Sequence, residues 1–209
     1  MNDFSLIETL RWQPGDGFIR LRLHLARLSR SARRLGFPQP IDAVARLDEA
    51  VAGATGPLRV RLTFDAQGRI EVTSAAFVPL PPDTIWTVRL AETRLNSADR
   101  LVRYKTTRRA AYEAARAEYT PAEADEVILF NERGEICEGT ITSIFFDDGT
   151  GMLRTPPISC GLLAGVLRTE LICARKARVG RLGLADLDAG TLYIGNSLRG
   201  LIRAHLLRN

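Results

Sequence analysis

The chain has 209 residues, 45% hydrophobic and 25% charged, with a net charge of +5; this is enough apolar material for a sizeable core in one large domain or two small lobes. No run of about 18 apolar residues is present, and the opening Met1-Asn2-Asp3-Phe4-Ser5 lacks a basic-then-apolar leader, so neither a membrane span nor a secretion signal is expected. Three cysteines (Cys137, Cys160, Cys173) without metal-ligand spacing and only two histidines exclude a histidine-rich metal site, and predict reduced packing thiols in a cytoplasmic protein.

In chain order, residues 4–11 read as a strand and Gly15-Asp16-Gly17 as a turn. Leu21, Leu25, Leu28, Ala32 and Leu35 form one face of a helix that Gly36 and Pro38 end. A second helix over 41–52 carries Ile41, Val44, Leu47 and Val51 on its apolar face. Leu58, Val60, Leu62 and Phe64 alternate with polar residues, and a turn at 65–68 returns the chain through 69–75, giving a hairpin. A proline-rich connector at 79–82 leads to a strand at 85–91. The first lobe, 1–91, is thus helices laid on an antiparallel sheet, and the polar 92–100 is expected to be a hinge.

The remaining lobe, 101–209, opens with an alanine-rich helix at 110–119. Short strands follow at 127–130, 135–137, 144–146 and 152–154, then a helix from Leu163, a strand at 191–194 and an end segment at 197–206. The fold class is mixed α/β in two lobes. Arginines run through nearly every segment beside acidic residues rather than forming a stripe with aromatics, which argues against nucleic-acid binding. A small anionic ligand is the better use of the excess charge.

Of the 29 basic residues only Lys105 and Lys176 are lysine. Arginine replaces lysine well as a surface charge but not as an amine nucleophile, because guanidinium does not deprotonate in proteins. Lys105 lies among Arg103, Arg108 and Arg109, and cationic neighbours favour the neutral amine. A solvated lysine at a helix start fits these residues as well. Lys176, in Arg175-Lys176-Ala177-Arg178, reads as the basic last turn of the helix from Leu163.

A Schiff-base cofactor such as pyridoxal phosphate needs an amine, a phosphate cradle and a partner for its pyridine nitrogen. Glu138, at a strand end before Gly139 and Thr140, is a carboxylate suited to the ring nitrogen. Gly161 and Gly165 surround a helix start, where backbone N–H groups suit an anion. Gly195-Asn196-Ser197 makes a second nest, and Arg27, on the polar side of the first helix, could reach the same phosphate.

The ordered set His24-x-x-Arg27-Leu28, Tyr104-Lys105-Thr106-Thr107, Glu138-Gly139-Thr140, Gly165-x-x-Arg168 and Gly195-Asn196-Ser197-Leu198-Arg199-Gly200-Leu201 resembles the class IV aminotransferases. These are the pyridoxal-phosphate enzymes of fold type IV. The stretches Leu6-Ile7-Glu8-Thr9-Leu10-Arg11, Lys105-Thr106-Thr107 and Asn196-Ser197-Leu198-Arg199-Gly200 look most like the 4-amino-4-deoxychorismate lyase branch. The resemblance implies a cofactor between two lobes, Lys105 as the Schiff-base lysine and Glu138 as the ring-nitrogen partner. It places Arg27, the Val166 and Leu167 amides and Ser197 on the phosphate, and it implies a homodimer.

Arg11 and Arg109 are candidates for the carboxylates of a small anionic amine substrate. The activity implied is lyase, with an amino-acid aminotransferase and a cofactor-binding non-enzyme as alternatives. The sequence departs from the family where Leu167 replaces a threonine, Ser143 an asparagine, and Arg108 a polar residue.

Overall fold

The computed structural model describes residues 4–208. The chain divides into two compact units. One holds the chain up to Pro79 together with Tyr104–Arg108, and the other holds Leu80–Arg103 and the chain from Arg109 onward.

In the first unit, β1 (Leu6–Gln13), β2 (Gly17–Phe18), β3 (Leu58–Phe64) and β4 (Ile70–Ala76) form an antiparallel sheet in the order β2-β1-β3-β4. Leu6 lies opposite Phe64 and Leu10 opposite Val60, so the period-2 pattern presents one apolar face. Two helices cover it, α1 (Leu21–Leu35) and α2 (Ala43–Val51), and Leu28, Ala32, Phe37 and Leu47 complete the core. α1 stops at Gly36, whose φ of 72° is the left-handed conformation glycine adopts without cost. The Phe37 N–H returns to the Ala32 carbonyl at 2.9 Å. Ile41 lies outside the core against expectation, 84% exposed. The helix begins only at Ala43, and its buried stripe is Ala43, Leu47 and Val51 at four-residue spacing.

The second unit is built on an eight-stranded mixed sheet. Its strands are β5 (Ile85–Leu95), β6 (Glu126–Asn131), β7 (Ile136–Gly139), β8 (Ser143–Asp147), β9 (Leu153–Thr155), β10 (Ala177–Val179), β11 (Thr191–Asn196) and β12 (Gly200–Leu206), in the order β10-β9-β8-β11-β12-β5-β6-β7. The helices are α3 (Ala110–Ala117), α4 (Val166–Cys173) and the short α5 (Asp186–Ala189). β6 is buried throughout: Ile128 and Phe130 enter one apolar cluster, Val127 and Leu129 another. A strand covered on both faces reads as a continuous apolar run, as this one does.

Three boundaries differ from the sequence reading. Residues 85–91 belong with the second unit, because β5 pairs in parallel with both β12 and β6. The expected hinge at 92–100 is partly strand, since β5 runs to Leu95. Its polar character has a cause: pairing with β6 shifts register between Leu90 and Arg94, and the Glu92 and Thr93 N–H groups donate to the Glu118 carboxylate at 2.6 and 2.8 Å. Lys176 is not in a last helical turn. α4 ends at Cys173, Arg175 takes a φ of 55°, and the Lys176 carbonyl accepts from Leu153 N–H where β10 and β9 meet. Cys137 and Cys160 are buried as expected of packing thiols, whereas Cys173 is exposed.

Candidate active site

Lys105 belongs to a short segment laid along β1. Ile7 N–H donates to the Lys105 carbonyl at 2.8 Å, and Thr107 N–H to the Ser5 carbonyl at 2.9 Å. Thr106 bridges Leu6 in antiparallel register, and the Thr107 hydroxyl accepts from Ser5 N–H at 3.0 Å. These bonds explain the two threonines after the lysine: one is buried, the other bonds through both backbone and side chain. They also explain why a pentapeptide from the middle of the chain is held in the first unit. The main chain of Lys105 is therefore fixed beside Ile7 and Glu8.

Glu8 is the residue that sequence reasoning passed over. On β1 it shares the core face with Leu6 and Leu10 and is 3% exposed. Two residues one turn apart on α1 satisfy it. Arg27 donates Nε to Oε1 at 2.8 Å and Nη2 to Oε2 at 2.6 Å, while His24 Nδ1 lies 2.6 Å from Oε2. Burial alone would raise the Glu8 carboxyl; the Arg27 charge and the hydrogen bonds from His24 and Arg27 overcome this and hold it at about 2. Burial lowers His24 below its ordinary value against the pull of Glu8, and the Lys105 charge adds to the lowering. A neutral His24 therefore donates its Nδ1 proton to Glu8. Arg27 is not a solvated residue on a polar helix face: it is 13% exposed and ion-paired in the interior. The signal was present in the sequence, a charged residue at the centre of the alternating Leu6-x-Glu8-x-Leu10.

Arg11 lies on the opposite face of β1. Its guanidinium carbon sits 5.4 Å from the Phe77 ring centroid, and its buried Nε has no hydrogen-bond partner among the described residues.

In the second unit the focus is Glu138, 5% exposed at the end of β7. Its Oε1 accepts from the Tyr112 phenol at 2.8 Å and from Leu163 N–H at 3.1 Å. The latter bond takes Leu163 out of the expected helix, so α4 starts three residues later, at Val166. Burial lowers the nearby Arg168, with the Glu138 charge acting the other way; its Nη2 donates to the Pro156 carbonyl at 2.8 Å.

The Gly139-Thr140-Ile141-Thr142 loop is shaped by Glu126, which is fully buried. One oxygen accepts from Thr140 N–H and hydroxyl at 3.0 and 2.5 Å, the other from Ile141 N–H and the Thr142 hydroxyl at 3.0 and 2.9 Å. A side chain at Gly139 would collide with the Thr142 hydroxyl and this carboxylate, which accounts for glycine after Glu138. Arg109 donates to the Thr140 carbonyl at 2.5 Å and lies 4.8 Å from the Tyr112 ring centroid.

The start of α4 follows Gly165, with no side-chain cap, so the first N–H groups of its opening turn lack intrahelical partners. A Cβ at Gly165 would sit 2.5 Å from the Ser143 hydroxyl. Leu167 turns its side chain into a cluster with Phe145, Leu171 and Ala177 and packs against Gly195, at the end of the β11–β12 hairpin that carries Ser197. The Asn196 side chain shapes that turn by accepting from Leu198 and Arg199 N–H at 3.1 and 3.0 Å. The N–H groups at a helix start, with the hydroxyls of Ser143 on β8 and Ser197 in the β11–β12 turn, form a donor set that suits a phosphate. Glu138, whose Oε1 is held by the Tyr112 phenol and the Leu163 N–H, presents a carboxylate of the kind that suits a protonated ring nitrogen.

Lys105, Arg27, Glu8 and His24 thus fall in the first unit. Glu138, Val166, Leu167, Ser197 and Arg109 fall in the second. Among the described residues no group of His, Cys, Asp or Glu could hold a metal ion, and no helix is long and apolar enough to cross a membrane.

The fold and these residues define a class. The profile of the amino-transferase class IV family matches residues 5–207. The chain belongs to the class IV aminotransferases, a family of pyridoxal-phosphate-dependent enzymes. A Schizosaccharomyces pombe protein named provisionally as an aminodeoxychorismate lyase is 31% identical over 179 residues, covering 82% of this chain and 74% of that one. A solved structure from Mesorhizobium loti, named provisionally as an amino-acid aminotransferase, is 49% identical, covers 98% of this chain and 100% of that one, and superposes with a TM-score of 0.95. The 4-amino-4-deoxychorismate lyase of Pseudomonas aeruginosa shares the fold at 22% identity and a TM-score of 0.80, covering 97% of this chain and 83% of that one.

Proposed function

We propose that the protein binds pyridoxal phosphate through Lys105 and acts as a 4-amino-4-deoxychorismate lyase, releasing 4-aminobenzoate and pyruvate. The observation that carries the cofactor reading is Glu138, a buried carboxylate that two donors hold on one oxygen. When bound, the cofactor supplies a protonated ring that withdraws electrons from the substrate carbon bearing the amine. Glu138 keeps the ring nitrogen protonated. The Val166 and Leu167 amides, Ser197 and Arg27 hold the phosphate, with Arg27 aimed by Glu8. That Lys105 and Glu138 serve one cofactor is a requirement of this reading.

Lys105 is the base. Its amine takes the proton from the carbon that carries the substrate nitrogen. The ether bond to the enolpyruvyl group then breaks, the ring becomes aromatic, and the departing enol takes up a proton as pyruvate. Arg11 and Arg109 receive substrate carboxylates; Arg109 is oriented for this by Thr140 and Tyr112. The active form is a cytoplasmic homodimer.

A second reading, amino-acid transamination, has its own support in the name of the 49% identical structure. Both reactions begin with the same proton transfer to Lys105 and differ in what leaves afterwards. Incubation with aminodeoxychorismate, and separately with amino acids plus 2-oxoglutarate, separates them. Stoichiometric 4-aminobenzoate and pyruvate are expected from the first mixture; glutamate from the second, without 4-aminobenzoate from the first, overturns the lyase reading.

A further inference from the structure

The sequence pattern assigns no role to Tyr112, in the first turn of α3. Its hydroxyl is nevertheless 2.8 Å from Glu138 Oε1, the oxygen that also accepts from Leu163 N–H. The ring is held independently of that bond. It packs against the cluster of Val127, Leu129, Cys137, Cys160 and Leu162, and the Arg109 guanidinium, tied to the Thr140 carbonyl, sits 4.8 Å from its centroid. The phenol keeps its proton, because burial and then the Glu138 charge push its ionisation upward. It is therefore a permanent donor on a rigid mount.

We propose that Tyr112 is a positioning residue for the reaction: by donating to Oε1 it orients the Glu138 carboxylate and keeps it in its charged form, so that the proton shared with the cofactor ring stays on the ring nitrogen. The proposal rests on the assignment of Glu138 to that nitrogen. The physical ground is that hydrogen bonds to an ionised carboxylate favour the ionised form and weaken it as a proton acceptor. With Tyr112 present, two donors share one oxygen and the carboxylate is a poor competitor for the ring proton. With the hydroxyl removed, Oε1 loses a charge-assisted donor, the side chain gains freedom, and the shared proton moves toward the carboxylate. The electron sink weakens without loss of any group that touches the substrate.

The test uses wild type, Tyr112→Phe, Tyr112→3-fluorotyrosine and Glu138→Gln, each reconstituted with pyridoxal phosphate labelled with 15N in the ring. Phenylalanine keeps the ring, its packing and the Arg109 contact; 3-fluorotyrosine keeps the donor. The 15N shift reports ring protonation without turnover, and single-turnover loss of the substrate Cα–H reports the chemical consequence. Wild type is expected at the protonated limit and Glu138→Gln at the unprotonated one. Tyr112→Phe should lie between them, with Cα–H loss about tenfold slower and KM within about twofold of wild type, as loss of one charge-assisted bond acting on the transition state predicts. The fluorotyrosine variant should restore both readouts.

A Glu138→Gln shift identical to wild type overturns the Glu138 assignment and this proposal with it. If Glu138→Gln moves the signal but Tyr112→Phe leaves shift and rate at wild-type values, Tyr112 alone is overturned, and a lowered melting temperature in that variant would mark it as a packing residue.

Discussion

Replacing Arg27 with alanine tests the interior of the first unit as much as the cofactor. From the sequence Arg27 lies on the polar side of α1, away from Leu21, Leu25 and Leu28, where truncation is expected to leave packing intact. In the structure it is the bidentate partner of Glu8 at 2.8 and 2.6 Å, and the variant leaves a buried carboxylate with His24 as its remaining named partner. The size of the interaction follows from linkage. Glu8 sits at about 2 instead of 4.5, and each unit is worth about 1.36 kcal/mol, so the ionised form contributes about 3 kcal/mol at neutral pH. Its folded value is depressed, so this stability is complete above the unfolded value and is lost as pH falls through about 4.5 toward 2. His24 is also lowered; the unfolded chain takes up its proton first, and stability therefore begins to fall below about pH 6.5. Urea denaturation of the apoprotein at pH 7, 5 and 3 measures both effects. Arg27→Ala should lose about 3–5 kcal/mol at pH 7, the cost of breaking a buried pair from one side. Glu8→Gln in the same background should recover part of it, because no charge is then left unpaired. A single variant within about 0.5 kcal/mol of wild type at pH 7, the scatter of ordinary surface substitutions, would refute the buried pair.

Two further outcomes bear on the cofactor. The reconstituted protein should be yellow, and borohydride should fix the cofactor to the peptide carrying Lys105; label on Lys176 would defeat the assignment, since Lys176 lies in the link from α4 to β10. Glu138→Gln keeps size and hydrogen bonding but removes the charge, so cofactor and substrate affinity should persist while Cα–H loss slows by about two orders of magnitude or more, read by stopped flow; equal rates would make Glu138 an ordinary strand-end carboxylate.

Much of the fold was legible because its elements obey simple periods. The stripe of α1, the alternation of β3 and the unbroken apolar run of β6 each state their own burial. The boundary between units was not legible, because it depends on pairing partners. Residues 85–95 have the same local pattern whether they pair with β4 or, as they do, with β6 and β12. The same holds for 104–108, whose place beside β1 depends on backbone bonds to Ser5 and Ile7 that no composition records. The final strand was missed for a related reason: β12 is central in the sheet, yet its alternation of Ile202 and Ala204 with Arg203 and His205 is only two residues deep on its buried face.

The site residues divide in the same way. Lys105 and Glu138 stood out because each is chemically odd for its surroundings, one a lone amine among guanidinium groups, the other a carboxylate at the end of an apolar strand. Their supports did not: Tyr112 and Glu126 are ordinary residue types until their partners are known, and Glu8 is odd only against its apolar neighbours Leu6 and Leu10 on the same face of β1. The family departures take on a physical meaning only at this level. Leu167 turns into the apolar cluster with Phe145 and Leu171, so at that position an anion is left the backbone N–H and no hydroxyl. Ser143 meanwhile brings a hydroxyl against Gly165, closer than any side chain at that glycine would allow. The Leu167 departure thus removes a side-chain donor at the start of α4, Ser143 keeps one where the family has an asparagine, and the backbone donors, the part of a helix N-terminus that suits an anion, stay as they were.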